Sequence, residues 1–210
     1  MVKIKICGLT RREDIMAVNR YLPDYVGFVF AKSIRQVTPE QACYLKNLLD
    51  FRIKAVGVFV NEPILSIINL INKGAINIIQ LHGDETEDYI RELKQKTTCP
   101  VIKAVRVQSK EQILESEKSS CDMLLLDYYQ KQQYGGNGKT FDYSLIPQLQ
   151  KQFFIAGGLN NENINQVFFK CRPYGVDISS GVETDKIKDE KKIEQIIKTL
   201  RGRSDNNDIK

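Results

Sequence analysis

Hydrophobic positions along this chain fall into two alternating patterns. Short runs rich in valine, isoleucine, leucine and aromatic residues recur at 3–7, 25–30, 54–60, 77–81, 101–107, 122–128, 153–156 and 175–179. Runs of this length, bounded by turn residues, read as strands. Between them the apolar residues change to helical spacing, as at Ile64, Ile67, Ile68 and Ile71, with Gly74 placed to close that helix. Helix starts are marked as well. Thr10-Arg-Arg-Glu13 reads as a capping box, its hydroxyl and carboxylate taking up free amides of the first turn. Thr38-Pro39-Glu40-Gln41 repeats the signal, with proline where its missing N–H costs least, and Ser109-Lys-Glu-Gln112 is a third instance.

Strands that alternate with helices must lie parallel, joined by right-handed crossovers, with both sheet faces covered. Eight such units close on themselves and leave no edge. The pattern therefore predicts an α/β fold, a single (β/α)8 TIM barrel with a parallel eight-stranded sheet. It spans 1–201, and the polar stretch 202–210 is expected to be a disordered tail. An open doubly wound sheet is the alternative. It would carry G-x-G-x-x-G after the first strand, where Cys7-Gly8-Leu9-Thr10 stands instead.

Composition narrows the class of protein. Of 210 residues, 42% are hydrophobic, which excludes a disordered chain. No stretch approaches the roughly 18 apolar residues of a membrane span, so a soluble protein with no membrane partner is expected. Five cysteines are odd in number, widely spaced and without a C-x-x-C pair, which argues against a disulfide framework or a zinc site. The alternating amino terminus lacks the apolar core of a signal peptide, and a reducing cytoplasm is the expected location. The net charge is +5, with Lys186, Lys188, Lys191, Lys192, Lys198, Arg201 and Arg203 gathered near the end. Acidic residues interrupt this run and no aromatic residues interleave it. It reads as a solvated helix face, and no nucleic-acid partner is expected. The helix faces are compatible with either a single barrel or a pair.

In a barrel the chemistry sits where strands end. The first predicted strand ends in Cys7, the second is followed by Arg35, the fourth by His82, the only histidine, and the sixth ends near Asp127. Three loops have the composition of a phosphate cradle: Gly135-Gly136-Asn137-Gly138, Gly157-Gly158 and Ser179-Ser180-Gly181. Glycine lets backbone amides approach an anion closely, and the loops after strands seven and eight commonly hold phosphate in barrels.

These residues resemble the phosphoribosylanthranilate isomerase family of tryptophan biosynthesis. The resemblance runs in order through Lys5-Ile-Cys7-Gly8-Leu9-Thr10, Ser33-Ile-Arg35, Val56-Gly-Val-Phe-Val60, Gln80-Leu-His82-Gly83 and Leu126-Asp127. It continues through Gly135-Gly136-Asn137-Gly138-Lys-Thr-Phe141-Asp142, Ala156-Gly157-Gly158-Leu159 and Gly175-Val-Asp177-Ile-Ser179-Ser180-Gly181-Val-Glu183. Asn137 departs from the threonine usual in that family's glycine-rich loop.

The resemblance implies an Amadori rearrangement of a phosphorylated ribosyl anthranilate, a small-molecule substrate, with no metal or organic cofactor. It implies Cys7 as general base, Asp127 as general acid and Arg35 as a clamp on the anthranilate carboxylate. His82 would contact substrate or brace its loop, and Asp177 would orient a substrate hydroxyl or the adjacent loop. Gly136, Gly138, Gly157, Gly158, Ser179, Ser180 and Gly181 would bind phosphate. Lys5, on the same strand face as Cys7, is placed to lower the thiol's pKa, and Asp127 is expected to keep its proton through desolvation. Three other readings remain: a different sugar-phosphate isomerase barrel, a catalytically inactive ligand-binding barrel, and a nucleic-acid-binding basic surface. The related isomerase of histidine biosynthesis would want an aspartate at position 7.

Overall fold

The strand pattern closes on itself. The computed structural model describes residues 1–127 and 145–202. Its strands are β1 (Lys3–Cys7), β2 (Tyr25–Val29), β3 (Lys54–Phe59), β4 (Ile78–Leu81), β5 (Val101–Arg106), β6 (Met123–Asp127), β7 (Phe153–Ala156) and β8 (Gly175–Ile178). Each pairs in parallel with the next and β8 pairs with β1, so the sheet is a closed barrel and not an open one. All eight predicted strands are present, with ends that agree to within a residue or two.

Period-two alternation divides each strand between two cores. Ile4 and Ile6 of β1, Ile79 and Leu81 of β4, and Leu124 and Leu126 of β6 face outward and pack under the helices. Val56, Ile78, Ile102, Leu125 and Phe154 fill the barrel itself. Tyr25 and Tyr174 meet the Phe154 ring edge-on, at 5.6 and 5.5 Å between centroids, and close the amino-terminal end. The described helices are α1 (Arg12–Tyr21), α2 (Pro39–Leu48), α3 (Ile64–Asn72), α4 (Glu87–Lys96), α5 (Lys110–Glu117), α6 (Ile164–Cys171) and α7 (Glu190–Arg201). None is long and apolar enough to cross a membrane.

Two of the three predicted helix starts form. Thr38 and Ser109 accept from the amides of Gln41 and Gln112, each at 3.2 Å. At α3, the Gly74 amide bonds back to the Ile71 carbonyl with φ +70°, and the helix ends there as its sequence requires. The Thr10–Glu13 box does not form. The helix starts one residue later, with Arg11 at its cap, and the Asp14 carboxylate accepts from the amides of Thr10 and Arg11, both at 3.0 Å. Asp14 is buried and within reach of both donors, whereas Glu13 points to solvent.

The basic run near the end also needs correction. Lys186, Lys191 and Lys198 are exposed, but Lys188 is not on a helix and not solvated. It belongs to a hairpin, β9 (Glu183–Thr184) with β10 (Ile187–Lys188), that the sequence pattern misses, and its side chain is 2% exposed. Lys192 and Arg201 are half-buried, donating to the carbonyls of Glu183 and Leu22. The stretch 145–152 of the sixth connection contains no α-helix. Gly136, Gly138, Arg203 and nearly all of the expected tail lie outside the described residues.

Candidate active site

At the carboxyl ends of the strands lies a cavity of about 390 Å³. It is lined by Cys7 of β1, Arg35 after β2, Gln80 and His82 at the end of β4, Asp127 of β6, Gly157 and Gly158 after β7, and Asp177, Ser179 and Ser180 of and after β8. The structure thus brings together every described candidate except Gly181, which packs against the Leu159 carbonyl just behind the lining. A larger hollow of 640 Å³ opens outside the barrel between α2 and α3, but none of these residues lines it.

Cys7 and Lys5 point into the barrel because they alternate with the outward Ile4 and Ile6. Gly27 lies directly beside Cys7 in register. A Cβ at Gly27 would stand 2.5 Å from the Cys7 sulfur, so the missing side chain makes room for the thiol. Lys5 is wholly buried and donates to Asp177 Oδ2 at 2.7 Å across the β1–β8 pair. Burial opposes the Lys5 charge, but the facing Asp177 carboxylate and the Cys7 sulfur together outweigh it, and the ammonium is held above its ordinary value. For Cys7 burial is the larger effect. It pushes the thiol up from its ordinary 9.0, and the pull of Lys5 and Lys188 in the other direction does not compensate. The expected lowering by Lys5 is therefore real in sign but overruled by desolvation and by Asp177.

Around this group runs a second ionic chain. Arg35 donates to both oxygens of Glu183, from Nε at 2.7 Å and Nη2 at 2.6 Å, in the bidentate geometry that suits a guanidinium. Lys188 donates to the same carboxylate at 2.6 Å and to the Ser179 carbonyl at 3.0 Å. Burial alone would raise Glu183, but Arg35 and Lys188 bring it down to about 2. Burial pulls Lys188 below its ordinary value despite that partner. Ser179 donates its hydroxyl to the Cys7 carbonyl at 3.1 Å, so the loop after β8 is tied to the end of β1. Gly157 and Gly158 have φ of +91° and +65°, a turn that side chains other than glycine rarely adopt.

The opposite wall is built differently. The Gln80 Nε2 lies 2.9 Å from His82 Nδ1, and His82 Nε2 lies 3.1 Å from Asp127 Oδ2. Asp127 keeps 22% of its side-chain surface exposed, and His82 is its partner. Behind His82, Glu85 accepts from the amides of Gly83 and Asn61, and Lys103 bridges Glu85 and the Gly83 carbonyl, each at 2.7 Å. Burial would raise Glu85, but these donors hold it below its ordinary value and fix the loop that carries His82.

Sequence reasoning missed Lys188, Glu183 and Gln80 as parts of this site. Gln80 and Glu183 lie within the resembling segments but carry no local signal of a role. Lys188 is hidden among six other basic residues, and only the hairpin separates it from them.

A closed parallel barrel whose ionisable groups converge on one cavity at the carboxyl ends of its strands is a (β/α)8-barrel enzyme. Residues 4–199 match the family model for N-(5′-phosphoribosyl)anthranilate (PRA) isomerase. The N-(5′-phosphoribosyl)anthranilate isomerase of Endomicrobium trichonymphae is 48% identical over 202 residues, covering 96% of this chain and all of the relative. The crystal structure of phosphoribosyl anthranilate isomerase from Thermotoga maritima superposes with a TM-score of 0.83 at 36% identity, covering 96% of this chain and all of that one. A phosphoribosyl anthranilate isomerase solved in complex with reduced 1-(o-carboxyphenylamino)-1-deoxyribulose 5-phosphate gives a TM-score of 0.81 at 34% identity, with the same coverage. The chain belongs to the phosphoribosylanthranilate isomerase family.

Proposed function

We propose that this chain isomerises N-(5′-phosphoribosyl)anthranilate to 1-(2-carboxyphenylamino)-1-deoxyribulose 5-phosphate in tryptophan biosynthesis, with Cys7 as general base and Asp127 as general acid. The overall reaction follows from family membership; the residue roles rest on the cavity. The observation that carries them is that the thiol of β1 and the carboxyl of β6 line the same 390 Å³ space, with glycine- and serine-rich loops between them.

Asp127 gives its proton to the ribose ring oxygen, the ring opens, and C1 becomes an iminium. The Cys7 thiolate then takes the proton from C2, and the electron pair moves toward the iminium nitrogen. The resulting enolamine tautomerises to the C2 ketone. Each such proton transfer contributes about 10²–10⁴-fold. A base that is a buried thiol needs help to ionise, since burial raises it. Lys5 and Lys188 supply two fixed cations, and the iminium adds a third positive charge beside C2 at the step that needs the thiolate.

Asp177 Oδ1 is buried without a partner among the described residues, and it would accept from a sugar hydroxyl. Glu183 occupies two of the five N–H groups of Arg35, which leaves three for the anthranilate carboxylate. Amides around Gly157, Gly158, Ser179 and Ser180 would hold the phosphate, Gly181 allowing the two loops to approach; Gly136 and Gly138 would add to them. All five cysteines are free, which supports a reducing cytoplasmic location.

Rescue of a tryptophan auxotroph lacking this one step, beside turnover of purified protein, tests the reading. Wild type should restore growth and Cys7→Ala should not. Equal rescue by a folded Cys7→Ala chain would refute the base assignment.

A further inference from the structure

Gln80 points into the barrel from β4, is 1% exposed, and precedes His82 by two residues on the same strand face. The His82 backbone is fixed by its amide bond to the Phe59 carbonyl at 2.8 Å. The side chains then form a single file from Gln80 Nε2 to His82 Nδ1 at 2.9 Å and from His82 Nε2 to Asp127 Oδ2 at 3.1 Å. An amide nitrogen carries only donors, so the ring nitrogen facing it must be the bare one. The imidazole proton is thereby sent to Nε2, where it faces Asp127.

We propose that Gln80 is a positioning residue: by donating to Nδ1 it holds His82 as the Nε2–H tautomer, so that His82 donates to Asp127 and takes up the negative charge left there when the acid gives its proton away. This rests on Asp127 being the general acid. Asp127 Oδ1 then carries the transferable proton while Oδ2 is held by His82. Hydrogen bonds aligned in one direction strengthen each other, and their effect is largest when the acceptor becomes charged. The file therefore favours the transition state over the bound substrate, which is the condition for raising kcat. Gln80 Oε1 is buried and without a partner among the described residues. Leaving such a bond unmade costs stability, as befits a side chain held for what its other end does. Turning the amide round would place Oε1 on Nδ1, demand a proton there, and make His82 an acceptor toward Asp127, reversing every bond in the file.

The chain has one histidine, so imidazole 15N labelling of the free protein reports His82 alone. At about pH 8.5, well above the ordinary imidazole range, wild type should show a bare Nδ1 and a protonated Nε2. Gln80→Glu places an acceptor opposite Nδ1 and should move the proton there. Gln80→Met, without a donor, should give a mixture. Gln80→Glu should lose about 10–100-fold in kcat, the scale seen when the partner that orients a metal-ligating histidine is removed, and Gln80→Met a smaller factor, with KM little changed in both. A merely structural role would alter the melting temperature and leave the tautomer alone.

A protonated Nδ1 in wild type would overturn the proposal. So would a folded Gln80→Glu chain with the wild-type tautomer and kcat. Should Gln80→Glu fail to fold, the wild-type spectrum and Gln80→Met decide. If instead Asp127→Asn retained full turnover, the acid assignment would fall, whatever the spectrum of the free protein showed.

Discussion

The two walls of the cavity solve opposite problems. Around Cys7, on β1, β8 and the β9–β10 hairpin, four charged side chains are packed with little solvent: Lys5, Asp177, Lys188 and Glu183, with the partly exposed Arg35 reaching Glu183 from the loop after β2. Around Asp127, on β4 and β6, the partners are an amide and an imidazole, and both His82 and Asp127 retain about a quarter of their exposure. The base must lose a proton where water is scarce, so its compensation is built in as fixed charge that costs no reorganisation during the reaction. The acid must regain a proton every cycle, so it stays within reach of solvent and is steered by hydrogen bonds. Stability and chemistry are therefore entangled on the first wall and separable on the second.

The sharpest test removes the reacting groups themselves. Cys7→Ala and Asp127→Asn should each lower kcat/KM by about 10²–10⁴-fold, while thermal unfolding stays close to wild type; a matching loss of stability at Asp127 would erase the contrast between the walls. Next comes the buried pair. Lys5→Met strands the Asp177 carboxylate and should cost about 3–5 kcal/mol in urea unfolding, with part of that recovered by adding Asp177→Asn. On the wetter wall, His82→Ala should cost no more than about 1–1.5 kcal/mol.

A third test follows the thiol. Because burial raises Cys7 above its ordinary 9.0, its alkylation by a small neutral reagent should rise with pH later than that of an exposed cysteine. Lys188→Met removes a cation that lowers the thiol, and should shift that profile further to the alkaline side. The last effect is confined to acid and lies at Glu183, held at about 2 against an ordinary 4.5. Its folded value lies below its unfolded one, so the stability it contributes is complete above about pH 4.5 and disappears as pH falls toward 2. Acid titration of unfolding should show Glu183→Gln flattening that window and leaving neutral pH behaviour of the second wall untouched.

The contrast between the walls also explains what could be read in advance. Strand and helix alternation is local and periodic, so all eight strands, the closed topology and the caps at Thr38 and Ser109 are legible. Cys7, Asp127 and the loops at 157–158 and 179–181 are legible because strand ends are where a barrel places its chemistry. Ion pairs between distant positions are not: nothing near Lys5 announces Asp177, and nothing in the run from Lys186 to Arg201 distinguishes Lys188. The Thr10–Glu13 box failed for a related reason. Two carboxylates stand in adjacent positions there, and which one faces the helix start is decided by the burial of Asp14. The net direction of the Cys7 shift likewise depends on the balance of burial and Asp177 against Lys5 and Lys188, which spacing along one strand does not convey.

The ring of strands has a consequence for how the chain comes into being. The carboxylate that neutralises Lys5 is made 172 residues after it. Until β8 slots in beside β1, the first strand has an unmatched ammonium and an open flank, and its thiol lacks the neighbours that suppress ionisation. A nascent chain therefore carries the Cys7 sulfur without those neighbours until the segment holding β8 has been made.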